Sequence, residues 1–233
     1  MASGLDASIV KSFWDCFESR CLTVIGDAYQ SINKQRQIDI SWDEENISAN
    51  IYHHIDENVK AIEWNIFVSD ECRQYTEKIL ENKKKAKNSA RIDLKMVTNW
   101  NKQRVRYFVE AKNLIESDTR KAGRKTVVRA KKWHKRYIET GINHYLDGHY
   151  PPNGCLLGYV LQGDPSRIVR LINALLREKS RLNEILIKTD SGFESIDCMY
   201  LSRHEISGEA RIIKHLMLKF GNFSISPFSA KGA

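Results

Sequence analysis

No stretch of this 233-residue chain approaches the roughly 18 consecutive apolar residues that a membrane-spanning helix needs. Asp6, Lys11 and Asp15 interrupt the N-terminal apolar pattern, which lacks the basic-then-apolar layout of a signal peptide, so the expectation is a cytoplasmic protein. The five cysteines (Cys16, Cys21, Cys72, Cys155, Cys198) are odd in number and contain no C-x-x-C. That argues against a disulfide framework or a structural zinc site and leaves buried free thiols. No H-E-x-x-H stands near His144 and His149, so a zinc hydrolase has little support. Negative charge is also missing in one place. Between Thr119 and Ile138 there is no acid among nine bases: Arg120, Lys121, Arg124, Lys125, Arg129, Lys131, Lys132, Lys135 and Arg136. With an earlier run (Lys83, Lys84, Lys85, Lys87) and a net charge of +8, this is the footprint of a polyanion partner.

What is present reads as one α/β domain, 43–233, with an N-terminal helical extension, 1–42. Over 6–30, Ile9, Val10, Phe13, Trp14, Phe17 and Cys21 recur at helical spacing. A second helix opens near Asp43, with Ile47, Ile51, Ile55 and Val59 four apart and Glu44 and Glu45 in its first turn, where the helix dipole favours anions. Residues 70–87 read as helical. The period then changes: Arg91–Val97 and Val105–Ala111 alternate and are separated by polar residues 98–102, which predicts an antiparallel hairpin. A basic helix follows, with Val127, Ala130, Trp133, Tyr137, Ile138, Ile142 and Tyr145 at helical spacing, and Gly148 and Pro151-Pro152 end it. Cys155–Leu161 reads as a buried strand. Asp164-Pro165 starts a helix carrying Ile168, Leu171, Leu175 and Leu182. Ser195–Leu201 and Arg211–Phe220 read as closing strands.

The chemistry concentrates on the hairpin. Strand side chains two apart share a face, so Glu110 and Lys112 stand side by side while Val109 and Ala111 face away. Asp93, on the preceding strand, is placed to sit beside Glu110 across the ladder. Two carboxylates and an ammonium make a poor core but suit a hard divalent cation and the charge that develops on a phosphate. The reading makes Asp93 and Glu110 ligands of Mg2+ or Mn2+, with the Ala111 carbonyl a further ligand and Lys112 the group that positions water and stabilises charge. Asp93-Leu94-Lys95 is a competing acid-x-Lys triplet, but its leading acid would come from upstream, such as Asp70. Glu81-Asn82-Lys83 is another, in a lysine run that reads as solvated surface. A surface salt-bridge ladder remains the structural alternative for Asp93, Glu110 and Lys112. Tyr200, Ser202 and His204 alternate on one strand face, either reaching toward this site or, for His204 and His215, serving as satisfied core histidines.

IDLKMV followed by YFVEAKNL resembles the strand pair of PD-(D/E)xK, restriction-endonuclease-like nucleases. The run from Glu139-Thr140-Gly141 through NGCLLGYVLQG is similar to bacterial members found near defence genes. The resemblance covers residues 44–163 and implies an αβββαβ core, a mixed central sheet flanked by helices, with Cys155–Leu161 parallel to the motif strand. It also implies a glutamate on the helix before the sheet, a role that Glu45 matches ahead of Glu44. Two departures stand out: Ile92 replaces the usual proline, and no first core strand is evident between residues 60 and 90. The function implied is a metal-dependent DNA endonuclease in an anti-phage or restriction-type defence system. Lys125, Arg129, Lys131, Lys132, Lys135 and Arg136 would track the nucleic-acid backbone. Such proteins often work as dimers or with partner subunits, and the long N-terminal helix is a candidate docking element. The alternative is a non-catalytic nucleic-acid-binding or assembly subunit that retains the fold. The choice between double-stranded DNA, single-stranded DNA and RNA stays open.

Overall fold

Helices form where apolar residues recur every three to four positions, and they stop where a side chain offers the backbone a different partner. The structure, a computed structural model, describes residues 6–73, 91–121, 126–151, 153–206 and 208–220. Helix α1 (Ala7–Gln35) starts at Asp6, whose carboxylate accepts the Ser8 N–H at 2.7 Å. It runs past residue 30 because Ile32 continues its buried stripe (Phe17, Cys21, Leu22, Ile25, Tyr29), whereas Ile9 and Val10 are exposed. Helix α2 (Glu44–Asp56) buries Ile47, Ile51 and Ile55. Val59 leaves that stripe and is exposed, because the Asn58 side chain accepts the N–H groups of Lys60 and Ala61 and starts a separate helix, α3 (Val59–Glu63).

The helix expected over 70–87 begins instead as a strand. β1 (Phe67–Arg73) pairs antiparallel with β2 (Arg91–Trp100), from Phe67↔Val97 to Arg73↔Arg91. Val68 and Cys72 lie four apart, a spacing that fits a helix and one face of a strand equally well. Among the described residues β1 is an edge strand of the sheet, and it carries the charged Asp70, Glu71 and Arg73. The rest of that expected helix, with the lysine run and Glu81-Asn82-Lys83, lies outside the described residues.

β2 and β3 (Gln103–Ile115) form the expected hairpin, closed by a tight turn at Asn101 and Lys102, both at positive φ (45° and 61°). The short strands β4 (Thr119–Arg120) and β5 (Val127–Val128) pair with each other, so Val127 is extended rather than helical. The basic helix proper is α4 (Ala130–Arg136), started by Asp118, whose carboxylate accepts the Ala130 N–H at 2.9 Å. It continues through a π-helical turn (Tyr137–Ile142) into α5 (Asn143–Leu146). β6 (Gly154–Gln162) lies parallel to β3, and a Cβ at Gly154 would stand only 1.8 Å from the Phe108 carbonyl oxygen.

Helix α6 (Pro165–Glu178) opens as expected, with Asp164 accepting the N–H groups of Ser166 and Arg167. Leu171 is exposed and Leu182 falls beyond the helix, in a short 3-10 turn. β7 (Ile187–Thr189), β8 (Met199–Ile206) and β9 (Glu209–Lys219) complete a seven-stranded mixed sheet, ordered β1-β2-β3-β6-β9-β8-β7. The fold is therefore α/β, with buried side chains on both faces. In β6, Leu157, Tyr159 and Leu161 join α1 and α2 in one cluster, while Leu156 and Val160 join Tyr137, Ile168 and Ile172 in the other. The five cysteines are free thiols; Cys21 and Cys155 are buried and Cys16 is exposed. No helix among the described residues is long and apolar enough to cross a membrane.

Candidate active site

The site forms where a strand outlasts its neighbour. The β2–β3 ladder runs from Trp100↔Gln103 to Leu94↔Val109 and then ends, while β3 continues to Ile115 against β6 alone. One step further along that register, Asp93 stands opposite Glu110. Beyond this point the N–H groups of β3 that face β2 have lost their ladder partners, and buried N–H groups need acceptors. Carboxylates supply them. Asp93 Oδ2 accepts the Ala111 N–H at 2.7 Å, and Glu44 Oε2 accepts the Asn113 N–H at 2.9 Å. Asp93, Glu110 and Lys112 thus converge as the strand alternation predicts.

Lys112 sits at the centre and is buried, 4% exposed, as is Glu110. Its ammonium donates to Glu110 Oε1, to the Ala111 carbonyl at 2.8 Å and to Glu44 Oε1 at 3.4 Å. Arg136, on the basic helix, also donates to Glu44 Oε1, at 2.9 Å. Three carboxylates therefore face two cations, which leaves the buried cluster one positive charge short. The titration shifts reflect burial first and that shortage second. Burial pushes Asp93 up to about 6 against the pull of Lys112. Burial and then the neighbouring Asp93 push Glu110 up to about 8. Burial alone would lower Lys112, but the charges of Glu110, Glu44 and Asp93 outweigh it and hold the ammonium above its ordinary value.

The helix acid is where the sequence reading fails. Glu45, expected in the cluster, is exposed, and Glu44 takes the position. The buried stripe of α2 explains this: Glu44 precedes Ile47 by three and Ser48 by four, so it shares their face. Glu45 points away. That arithmetic was available in the sequence.

Does the cluster fit a divalent cation? Among the described residues no group of three or more His, Cys, Asp and Glu side chains is arranged to hold a metal ion, so there is no ready-made cage. Mg2+, however, keeps several waters and needs only one or two carboxylates. Asp93, Glu110 and the Ala111 carbonyl supply that kind of set, and Glu110 Oε2 is buried without a hydrogen-bond partner among the described residues. Hard oxygen donors, one unsatisfied buried oxygen and a missing positive charge together fit a hard divalent cation. The Ala111 carbonyl now accepts the Lys112 ammonium, one cation already using an oxygen suited to another.

The expected backbone-tracking residues differ in availability. Lys132 and Lys135 are exposed and have no ion-pair partner among the described residues. Arg129 pairs with Asp118 at 2.7 Å, and Lys131 approaches Glu178 at 3.7 Å. Arg136 reaches into the site, while Lys125 lies outside the described residues. Trp133 is partly buried against the core, as its spacing predicts.

Ser202, His204 and His215 do not reach the site. They form a separate buried chain: Tyr137 hydroxyl to His215 Nδ1 at 2.9 Å, His215 Nε2 to Ser202 Oγ at 2.7 Å, Ser202 Oγ to His204 Nε2 at 2.6 Å, and His204 Nδ1 to Glu184 at 2.6 Å. Arg181 holds Glu184 through two nitrogens, at 2.9 and 2.6 Å. With Glu184 ionised and both imidazoles neutral, only one proton order satisfies the chain: His204 donates to Glu184, Ser202 to His204, His215 to Ser202 and Tyr137 to His215. These are satisfied core histidines. The Tyr200 hydroxyl is buried and has no partner among the described residues.

Comparison with protein-family models, with characterised proteins and with solved structures finds no match.

Proposed function

We propose that this chain is a Mg2+- or Mn2+-dependent nuclease of the PD-(D/E)xK, restriction-endonuclease-like kind, hydrolysing phosphodiester bonds in DNA. The observation that carries the reading is the buried, net-acidic cluster of Asp93, Glu110 and Lys112 at the end of β2, with Glu110 Oε2 unpartnered and a basic helix beside it. The chain order α2, β1, β2, β3, a helix, then β6 parallel to β3 is the order expected of that core and supports the assignment.

Asp93, Glu110 and the Ala111 carbonyl would hold the cation. Once bound, such an ion lowers the pKa of water and offsets charge on a phosphate. Lys112 then orients the attacking water and stabilises the charge gathering on the phosphoryl oxygens. Lys132 and Lys135 hold the nucleic-acid backbone by charge, so retention weakens as salt rises. A place in a defence system rests on the resemblance alone.

One observation favours a second reading, a non-catalytic nucleic-acid-binding subunit. Lys112 already bridges Glu110 and Glu44, as a purely structural ion cluster would. Incubation with supercoiled plasmid in Mg2+, Mn2+ or EDTA separates the two. The nuclease converts plasmid to open or linear forms with metal and not with EDTA, and Lys112→Ala abolishes cleavage while still retarding DNA on a gel. Intact plasmid that both proteins retard supports the second reading. Neither cleavage nor retardation refutes both.

A further inference from the structure

The β1–β3 end of the sheet carries a surface that the acidic cluster does not use. β3 meets β6 only from Phe108 onward, so over residues 103–107 its ladder is with β2 alone. One face of this wing is buried, since Val68, Met96 and Tyr107 join the core cluster of α1 and α2. The opposite face is open. Paired residues share a face, so Phe67, Val97 and Arg106 form one row across the three strands and Ser69, Lys95 and Phe108 form the next. Arg104 lies one row further out, opposite Asn99. In the other direction the same face leads to Asp93 and Glu110.

Two properties set this face apart. The first is charge. Its rows hold Lys95, Arg104 and Arg106 and no acid. Arg104 and Arg106 are exposed, and none of the three cations has an ion-pair partner among the described residues. Cations that the protein leaves unbalanced call for an anion from outside. The second is Phe67, whose ring is 59% exposed in the row of Arg106.

The placement relates both properties to the cluster. By strand rise Arg106 lies about 13 Å from Glu110 along β3. At the other end of β3, His134 of α4 meets the Ile115 carbonyl at 2.7 Å, and the same helix presents the exposed Lys132 and Lys135. The acidic cluster thus has unbalanced cations on both sides of it along one strand. A duplex satisfies such cations but keeps its base faces stacked, which leaves the Phe67 ring without a partner. An unpaired strand offers phosphates to the cations and a base face to the ring.

We infer that the open face of β1–β3 is a docking platform for an unpaired nucleic-acid strand. Phe67 stacks on a base, Lys95, Arg104 and Arg106 hold phosphates, and the strand runs on to Asp93, Glu110 and Lys112. The inference names the substrate class of the proposed nuclease and rests on that reading for its purpose. Its test does not, because binding in EDTA needs neither metal nor cleavage.

The test is fluorescence anisotropy of the full chain with labelled oligothymidine, with its duplex and with oligouridine, each in EDTA over a series of salt concentrations. Phe67→Ala is expected to weaken oligothymidine about 5–150-fold, the range for one stacked base, and to leave the duplex within about twofold. Its melting temperature stays near that of the parent, because the ring is exposed. Replacing both Arg104 and Arg106 with alanine should flatten the slope of log K against log salt by about 1.4, two phosphate contacts at about 0.7 each on a single strand. If Phe67→Ala loses nothing, or loses equally on strand and duplex, the stacking role and the preference for an unpaired strand are wrong. An unchanged salt slope overturns the platform itself, whether or not the protein cleaves DNA. Tighter binding of oligouridine than oligothymidine keeps the platform and makes its strand RNA. A protein that binds oligothymidine as described but cleaves neither it nor plasmid in Mg2+ upholds the platform and refutes only the nuclease.

Discussion

Replacing Glu110 with glutamine is expected to make the metal-free protein more stable at mildly alkaline pH, by an amount that grows as pH rises. The cause is burial, compounded by the neighbouring Asp93. Burial and Asp93 push Glu110 from 4.5 up to about 8. A carboxyl raised in this way holds its proton more tightly folded than unfolded. Its stabilising contribution is complete below about 4.5 and is lost as pH climbs through about 8. The slope for one such proton is at most about 1.4 kcal/mol per pH unit. Between about pH 6 and pH 8 the parent therefore loses up to about 3 kcal/mol through this group. Asp93, raised from 3.8 to about 6, acts over the lower part of the same window. Glutamine has no proton to lose, so the variant is flat where the parent falls. The attraction of Lys112 for the ionised carboxylate is already contained in that raised value, so the diverging slope is diagnostic. For a protein of this size 1 kcal/mol is about 2–4 °C in melting temperature, and melts in EDTA across this range resolve the difference. Mn2+ at 100 times its Kd should return about 2.7 kcal/mol to the parent at the alkaline end and far less to the variant. Parallel melting curves for the two proteins, with no widening gap, would refute the reasoning.

Two further expectations concern stability at other points. Glu44→Ala removes the acceptor of the Asn113 N–H and a partner of Lys112, and should cost roughly 1–3 kcal/mol in urea unfolding. Glu45→Ala, on the exposed face, should stay within about 0.5 kcal/mol of the parent; equal effects would place the wrong glutamate at the site. On the acid side, burial pushes His215 from 6.5 down to about 3. A histidine kept neutral in the fold contributes fully above about 6.5, and that contribution is lost as pH falls toward 3. Urea midpoints should decline through that window, and Ser202→Ala, which cuts the chain between the two imidazoles, should lower stability even at neutral pH. A variant as stable as the parent would show that the chain does not hold the core.

How much of this was legible in the sequence depends on which physical rule carried each feature. The hairpin and the pairing of Asp93 with Glu110 follow from strand alternation, which tolerates no slip: moving the register by one residue would put Glu110 and Lys112 on the other face. The α2 stripe was equally plain, and it already favoured Glu44 through its spacing to Ile47; resemblance pointed to Glu45, and the periodicity was the better guide. β1 was illegible for a different reason. Its Val68–Cys72 spacing fits both periods, and an edge strand can carry acids that a central strand would reject. Val127 shows the same weakness, since extending a helical pattern by one apolar residue costs nothing on paper. The Asp118 carboxylate, which caps α4 three residues later, decides otherwise.

The burial of the site could not have been read from periodicity at all. An alternating strand predicts which side chains share a face, but says nothing of what covers that face. Here the coverage comes from distant segments: Glu44 from α2 and Arg136 from α4. That coverage is what separates this cluster from a surface salt-bridge ladder. Exposed ion pairs leave their carboxylates near ordinary values because water screens them. A cluster buried one positive charge short has its carboxylates pushed well above ordinary values. The chemistry therefore lies less in the Glu-x-Lys triplet than in the end of β2, which strips two β3 N–H groups of their ladder partners and draws Asp93 and Glu44 in to replace them.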